Sequence, residues 1–232
     1  MKILAVDTSA NTATVCVTED DKLLAEEIVN HKKTHSQTLM PMIDNVLKNC
    51  GTDISEIDIF AVANGPGSFT GLRIGVSAIK GMAHALNKPV IEISTLEGMA
   101  YNIYMSDLII CPIMDARRDQ VYNGVYTWEK GEFTELNAPR ALSIEECVED
   151  VKKYNKKIVF LGDGVPVHRE YIEKELKESA IFAPASANAQ RASSLASIAI
   201  SRQDSKISCY EVSPVYLRKP QAEREREERG IK

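Results

Sequence analysis

The sequence predicts an α/β protein of two related lobes, and three observations carry that prediction. Three β-type runs precede any helix at the N-terminus. A buried-type run, Ile57–Ala63, leads through a glycine-rich turn into a helix and then a further strand. The second half then repeats this order: Cys111–Met114 ends at Asp115 as Ile3–Val6 ends at Asp7, and Ile158–Leu161 ends in Gly162-Asp163-Gly164 as Ile59–Ala63 ends in Asn64-Gly65. The correspondence is one of pattern, with little residue identity. It divides the 232 residues into lobes 1–104 and 105–232, with the last helix free to pack back on the first lobe.

Each element has a local reason. Lys2–Val6 is a short β-type run that ends at the turn signal Asp7-Thr8-Ser9, and Thr12–Thr18 alternates Thr, Ala, Thr, Val, Cys, Val, Thr. Asp20-Asp21 turns the chain into a third run, Leu23–Val29. Ser36 is placed to cap a helix to about Asn49, with Leu39, Met42, Ile43, Val46 and Leu47 at helical spacing and Gly51 as its stop. Pro41 lies late for a first-turn proline, so the spacing predicts a later start or a bend there. After Ile57–Ala63, a helix runs from the glycine-rich turn to about Leu86, followed by strand Val90–Ile93 and a helix from Thr95 to about Tyr104. The second lobe shows an alternating strand around Val121–Tyr126, a helix near Ser143–Tyr154 and strand Ile158–Leu161. The tail Glu223–Arg229 mixes charges of both signs and reads as a solvated helix end or a disordered terminus.

Composition narrows the classes of function. Hydrophobic residues make up 44% and charged ones 26%, an ordinary globular balance. With 33 acidic and 28 basic side chains, the formal charge of −5 gives no general attraction to phosphate backbones, so nucleic acid would need a local basic patch or a partner. The longest apolar runs, such as Ile109–Met114, fall far short of the ~20 residues that cross a bilayer. Asp7 also interrupts the first apolar stretch too early for a signal-peptide core, which predicts a cytoplasmic protein with no membrane partner. The five cysteines contain no Cys-x-x-Cys pair and read as reduced, mostly buried thiols.

The sharpest local motif is Gly65-Pro66-Gly67-Ser68-Phe69-Thr70-Gly71. A glycine-rich strand-to-helix turn can aim backbone N–H groups at an anion. Here the third glycine falls at 71, one place beyond the dinucleotide fingerprint, no Walker lysine follows, and Pro66 removes one amide. Two readings stand: an anion site, or a tight turn packed against a neighbouring element or subunit. In the following helix, Leu72, Val76, Ile79, Ala83 and Leu86 form one stripe, and the smaller Gly71, Gly75, Ala78, Met82 and Ala85 form the next. The small stripe admits close approach by another helix, from this chain or a partner. Arg73, Ser77, Lys80, His84 and Asn87 form a polar stripe, so the helix is not buried all round.

The histidines supply no metal or hydrolytic site. His31 and His35 are spaced i, i+4 but lack the glutamate of the zinc-protease motif, and Ser68 lacks the flanking glycines of a nucleophile elbow. Asp7-Thr8-Ser9 and Asp115 remain. Aspartates at such turns can hold a hydrated Mg²⁺ and a nucleotide phosphate across a cleft, or simply bond their own backbone. One functional reading is therefore an ATP-dependent phosphotransferase or hydrolase using Asp7 and Asp115, and another is a homodimeric scaffold.

Several segments together resemble a known family: Ile3–Ser9, His35-Ser36-Gln37-Thr38-Leu39-Met40-Pro41, Gly65–Gly75, Ser94-Thr95-Leu96-Glu97, Asp115-Ala116-Arg117-Arg118 and Pro214-Val215-Tyr216-Leu217-Arg218. They are similar to the bacterial TsaB (YeaZ) family, densely over residues 1–126 and more thinly beyond. The resemblance implies the actin-like ATPase, sugar-kinase and Hsp70 type of fold, with a mixed five-stranded sheet in each lobe. It implies a noncatalytic role in threonylcarbamoyl transfer to the adenosine beside the tRNA anticodon, in partnership with the catalytic paralogue TsaD and the ATPase TsaE. Self-association as a homodimer and indirect contact with tRNA go with it. Thr95 and Met99 stand where the paralogue's two metal-binding histidines would be, and a thioether is a poor ligand for hard or borderline cations. No catalytic residue, metal or cofactor of its own is thus expected, with ATP or ADP and Mg²⁺ confined to Asp7, Thr8, Ser9 and Asp115 at the cleft or to a subunit junction. The partner interface is expected on Leu39, Met42 and Ile43 of the first helix and Gly71, Arg73, Gly75, Ala78 and Met82 of the second.

Overall fold

The computed structural model describes residues 1–31 and 34–218; the charged run Glu223–Arg229 lies outside them. Two five-stranded mixed sheets are built in the same order. In the first, β1 (Lys2–Asp7), β2 (Thr12–Glu19), β3 (Lys22–Asn30), β4 (Ile59–Gly65) and β5 (Val90–Ser94) lie as β3-β2-β1-β4-β5. In the second, β6 (Ile109–Arg117), β7 (Gln120–Glu129), β8 (Glu132–Ser143), β9 (Ile158–Leu161) and β10 (Ala180–Phe182) lie as β10-β9-β6-β7-β8. In each, the first three strands form antiparallel hairpins and the last two run parallel to the first.

The period of two along a strand sends alternate side chains to opposite faces. Leu4 and Val6 meet α1 (His35–Cys50) and α2 (Phe69–Leu86), while Ile3 and Ala5 meet Leu195, Ala196 and Ala199 of a helix that closes the other face late in the chain. Between the lobes lies α3 (Thr95–Ala100), whose Leu96, Met99 and Ala100 pack on Ile110, Met114 and Tyr126 of the second sheet. The opposite face of that sheet is covered by α4 (Ile144–Lys152) and α5 (Val165–Leu176). A one-turn α6 (Ala185–Asn188) then leads to the late helix, α7 (Ala192–Ser201). Burial of large aliphatic side chains on both faces of each sheet, each contributing about 1.5–3 kcal/mol, is what holds these layers together.

Several elements differ from their sequence reading. Helix α1 starts at His35 with Thr34 as the flanking residue, so Ser36 sits in the first turn and not at the cap. It also continues past Pro41, whose ring lies on the exposed side. Helix α3 stops at Ala100 and not near Tyr104, and Met105 beyond it adopts a left-handed φ of 52°. Strand β8 was not foreseen, because as an edge strand with a proline and both faces half-covered it shows no clean alternation. All five cysteines are free; four are buried and Cys50 is half-buried. No helix among the described residues is long and apolar enough to cross a membrane.

Candidate functional site

The site is organised by two turns that meet edge to edge. At the end of β1, Asp7 is buried and its Oδ1 accepts a 2.7 Å hydrogen bond from the Ser9 amide. Thr8 Oγ1 donates to the Gly71 carbonyl at 2.7 Å, and the Ser68 amide donates to the Ser9 carbonyl at 2.7 Å. Ser68 in turn caps α2, its hydroxyl accepting from the Gly71 amide at 3.2 Å. A Cβ on Gly67 would stand 2.3 Å from the Ser9 carbonyl oxygen, and one on Gly71 would stand 2.1 Å from that of Thr8. Of the two readings of the glycine-rich turn, the structure therefore shows the packed one: the glycines let β1 and α2 touch, and the Ser68 and Gly71 amides bond within the chain.

Beside these turns a cleft of about 570 Å³ separates the lobes, lined by Ser9, His35 and Phe69 on one side and Asp115, Arg117 and Asp163 on the other. The lining includes neither Asp7 nor Thr8. Asp7 and Asp115 thus do not face one cavity as a pair. Burial pushes the Asp7 carboxyl up to about 6, against the opposing pull of its bonds to Ser9 and the charge of His35.

Across the cleft, the β6–β7 hairpin turns through three successive residues with left-handed φ, Arg117 at 66°, Arg118 at 57° and Asp119 at 56°. Asp115 steadies this turn, its Oδ1 accepting the Arg117 amide at 2.8 Å and its Oδ2 lying 3.3 Å from the Arg117 guanidinium. The Asp115 amide donates to Asp163 Oδ1 at 3.1 Å. Burial raises the Asp163 pKa, and the neighbouring Asp115 charge adds to the rise. Asp163 and His35 are cleft residues for which the spacing gave no role. The only hint of Asp163 was its place between Gly162 and Gly164, matching the end of β4 in the repeat.

The structure corrects most of the expected partner face. Leu39, Met42 and Ile43 are at most 2% exposed and pack in the first lobe's core, so they offer no surface. Gly71 and Gly75 face β1, where a Cβ on Gly75 would meet Thr8 Oγ1 at 2.5 Å. The two glycines of the small stripe thus admit the chain's own β1 strand. Arg73 is exposed, while Ala78 and Met82 are half-buried. Parts of the polar stripe are covered by the chain's own last described segment: Lys80 donates to the Val212 carbonyl at 2.9 Å, Arg73 to Tyr216, and His84 meets Tyr210. What α2 leaves open is Thr70, Ser77, Gly81 and Ala85, all exposed; Met40 and Pro41 are exposed on α1.

On α3, Thr95 and Met99 lie on successive turns and are both at most 1% exposed. The Met99 sulfur accepts from Gln190 Nε2 at 3.4 Å, whereas Thr95 Oγ1 has no partner. Among the described residues no group of three or more His, Cys, Asp or Glu side chains is placed to hold a metal ion. Glu97, on the same helix, is held by the Arg202 guanidinium at the end of α7, with Nη1 donating to Oε2 at 2.9 Å.

The two sheets define a class by architecture: a two-lobed protein with the actin-like ATPase and sugar-kinase type of fold. Component A of (R)-2-hydroxyglutaryl-CoA dehydratase from Acidaminococcus fermentans shares this fold at a TM-score of 0.52 and 13% identity, over 88% of this chain and 99% of that one. An uncharacterized Pseudomonas aeruginosa protein with similarity to peptidase YEAZ superposes at a TM-score of 0.78 with 27% identity, over 94% of this chain and 99% of that one. The family described as TsaD, tRNA N6-adenosine threonylcarbamoyltransferase, matches residues 22–226. The tRNA threonylcarbamoyladenosine biosynthesis protein TsaB of Bacillus subtilis is 34% identical over 96% of both chains. The chain belongs to the TsaB (YeaZ) family of tRNA threonylcarbamoyladenosine biosynthesis proteins.

Proposed function

We propose that this chain is a noncatalytic subunit in the transfer of threonylcarbamoyl to tRNA, acting by docking on and supporting a TsaD-type catalytic paralogue, with TsaE as the associated ATPase. The observation that carries this reading is the sealed contact between Asp7-Thr8-Ser9 and the glycine-rich turn. Ser68 N, Thr8 Oγ1 and the Gly71 carbonyl bond to one another's turns, and Gly67 and Gly71 leave no gap between them. An anion cradle needs several amides aimed at one vacant point, and the buried Asp7 would repel a phosphate approaching it. Thr95 and Met99 support the same reading, since neither suits a catalytic cation.

The docking face we assign is the exposed side of α2, from Thr70 through Ser77 and Gly81 to Ala85, together with the exposed Met40 and Pro41 of α1. Gly81 is informative here. It stands mid-helix with nothing within 4 Å of where a Cβ would be, so no contact inside the chain requires glycine there. Glycine costs a helix about 1 kcal/mol relative to alanine, and a closely approaching partner backbone gives a reason to keep it. The same face serves a second copy of this chain in a homodimer. With its charge of −5 the chain reaches tRNA in the cytoplasm through its partner.

Gly81→Glu tests the assignment. Its side chain enters open space and improves helix propensity, so the variant is expected to keep the parent's melting temperature within a few degrees while no longer copurifying with the TsaD-type partner. Modification of tRNA reconstituted with that partner and TsaE should fall to the level seen without this chain. A Gly81→Glu complex that survives intact overturns the docking face. ATP turnover by the isolated chain that Asp7→Asn abolishes overturns the noncatalytic reading.

A further inference from the structure

After α7 the chain crosses back over the first lobe and then reaches the second. Ile207 forms an antiparallel bridge with Val90 at the edge of the first sheet, with N–H···O distances of 2.9 and 3.0 Å. Val212 is buried under α2, the Ser213 amide donates to Glu92 at 2.6 Å, and the Val215 amide donates to the Asn64 carbonyl at 2.7 Å. Gly65 makes room for this crossing: a Cβ there would stand 2.3 Å from the Val215 carbonyl oxygen. The Tyr216 ring stacks on Phe69 with centroids 4.3 Å apart and planes 11° from parallel, and its hydroxyl accepts from Arg73 Nε at 2.9 Å. Two residues later the contacts change lobe. Leu217 packs against the cluster that Ala10 and α3 share with the second sheet, and Arg218 Nη1 donates to the Ala116 carbonyl of β6 at 2.6 Å.

Phe69 and Ala116 line opposite sides of the interlobe cleft. The short step from Tyr216 to Arg218 therefore ties Phe69 and Arg73 of the first lobe to Ala116 of the second, a second link between the lobes more than a hundred residues along the chain from α3. We propose that Val215–Arg218 is a clasp that fixes the separation of the two lobes, and that releasing it opens the cleft. Its two ends suit that role. The Tyr216 end is anchored by an aromatic stack and a hydrogen bond from Arg73, while the Arg218 contact reaches a backbone carbonyl, which no side-chain change at position 116 removes. Stacked rings and a charge-assisted hydrogen bond are specific enough to define one closed geometry and weak enough to be exchanged for others. Arg73 and Phe69 also belong to α2, so the clasp ties the setting of that helix to the width of the cleft.

The test is an interlobe distance measured on the full chain. Spin labels go on Asn49→Cys of α1 and Glu170→Cys of α5, both exposed and outside the docking face, with Cys50→Ser removing the one cysteine that is not buried. The parent is expected to give one narrow distance distribution. The Tyr216→Ala/Arg218→Ala variant should give a distribution that is broader and moved outward by several ångströms. If that variant does not fold, Arg218→Gln, which keeps the stack on Phe69, should still broaden the distribution. Folded variants whose distributions superpose on the parent's overturn the clasp.

Discussion

Replacing Gly71 with alanine is expected to destabilise the protein by about 2–3 kcal/mol, although alanine is the better helix former. The added Cβ would come within 2.1 Å of the Thr8 carbonyl oxygen, a backbone atom that moves only if the β1–β2 turn moves with it. That turn is held from three directions, by Asp7 Oδ1 on the Ser9 amide, Thr8 Oγ1 on Gly71 and Ser68 N on the Ser9 carbonyl. Gly81→Ala is the matched control. It lies in the same helix with open space around it, so it should stabilise by about 1 kcal/mol. Urea unfolding of the two variants should move the midpoint in opposite directions at an unchanged slope. Equal shifts would mean that close approach to Thr8 is not what selects glycine at 71. The comparison also shows why a charge placed at Gly75, which abuts Thr8 Oγ1, would break the core before it tested any partner.

Asp7→Asn is expected to stabilise the protein at neutral pH and flatten its acid profile. A carboxyl at about 6 in the folded chain and 3.8 ordinarily binds its proton more tightly when folded. Stability is therefore greatest below the ordinary value and falls as pH rises from about 4 through 6. Two units of difference correspond to about 3 kcal/mol at neutral pH. Asparagine keeps an oxygen acceptor for the Ser9 amide and carries no charge to desolvate, so a gain of about 1–3 kcal/mol at pH 7.5 is expected. Chemical denaturation at pH 4, 6 and 7.5 decides it: curves that run parallel for parent and variant would show that Asp7 does not titrate in this window.

Much of the fold was legible because its signals are local. The alternation in Thr12–Thr18, the stop at Gly51 and the repeat of strand-end turns at Asp7 and Asp115 each report backbone geometry that a few neighbouring residues decide. The site was less legible, because periodicity gives a helix's faces without saying what covers them. On α2 the small stripe carrying Gly71 and Gly75 reads equally well as a surface for a partner and as a seat for β1, and only tertiary placement separates these. The polar stripe of Arg73, Lys80 and His84 looked solvated, yet it is where Val212, Tyr216 and Tyr210 return from more than a hundred residues away. Phe69 and Tyr216 each sat in a recognisable motif, and nothing in either motif announces that the two rings stack. Strand β8 failed for a different reason: an edge strand buries neither face fully, so its pattern is blurred.

The placement of α7 has a consequence for synthesis. The face of the first sheet bearing Ile3, Ala5, Ile91 and Ile93 is covered by residues 192–199, which follow the whole of the second sheet in sequence. A ribosome moving at about 5–20 residues per second thus presents the first sheet with one apolar face bare for several seconds before its cover is made. The nascent chain cannot complete its lobes one after the other, and a gene cut between the two sheets would yield a first fragment that precipitates or recruits a chaperone.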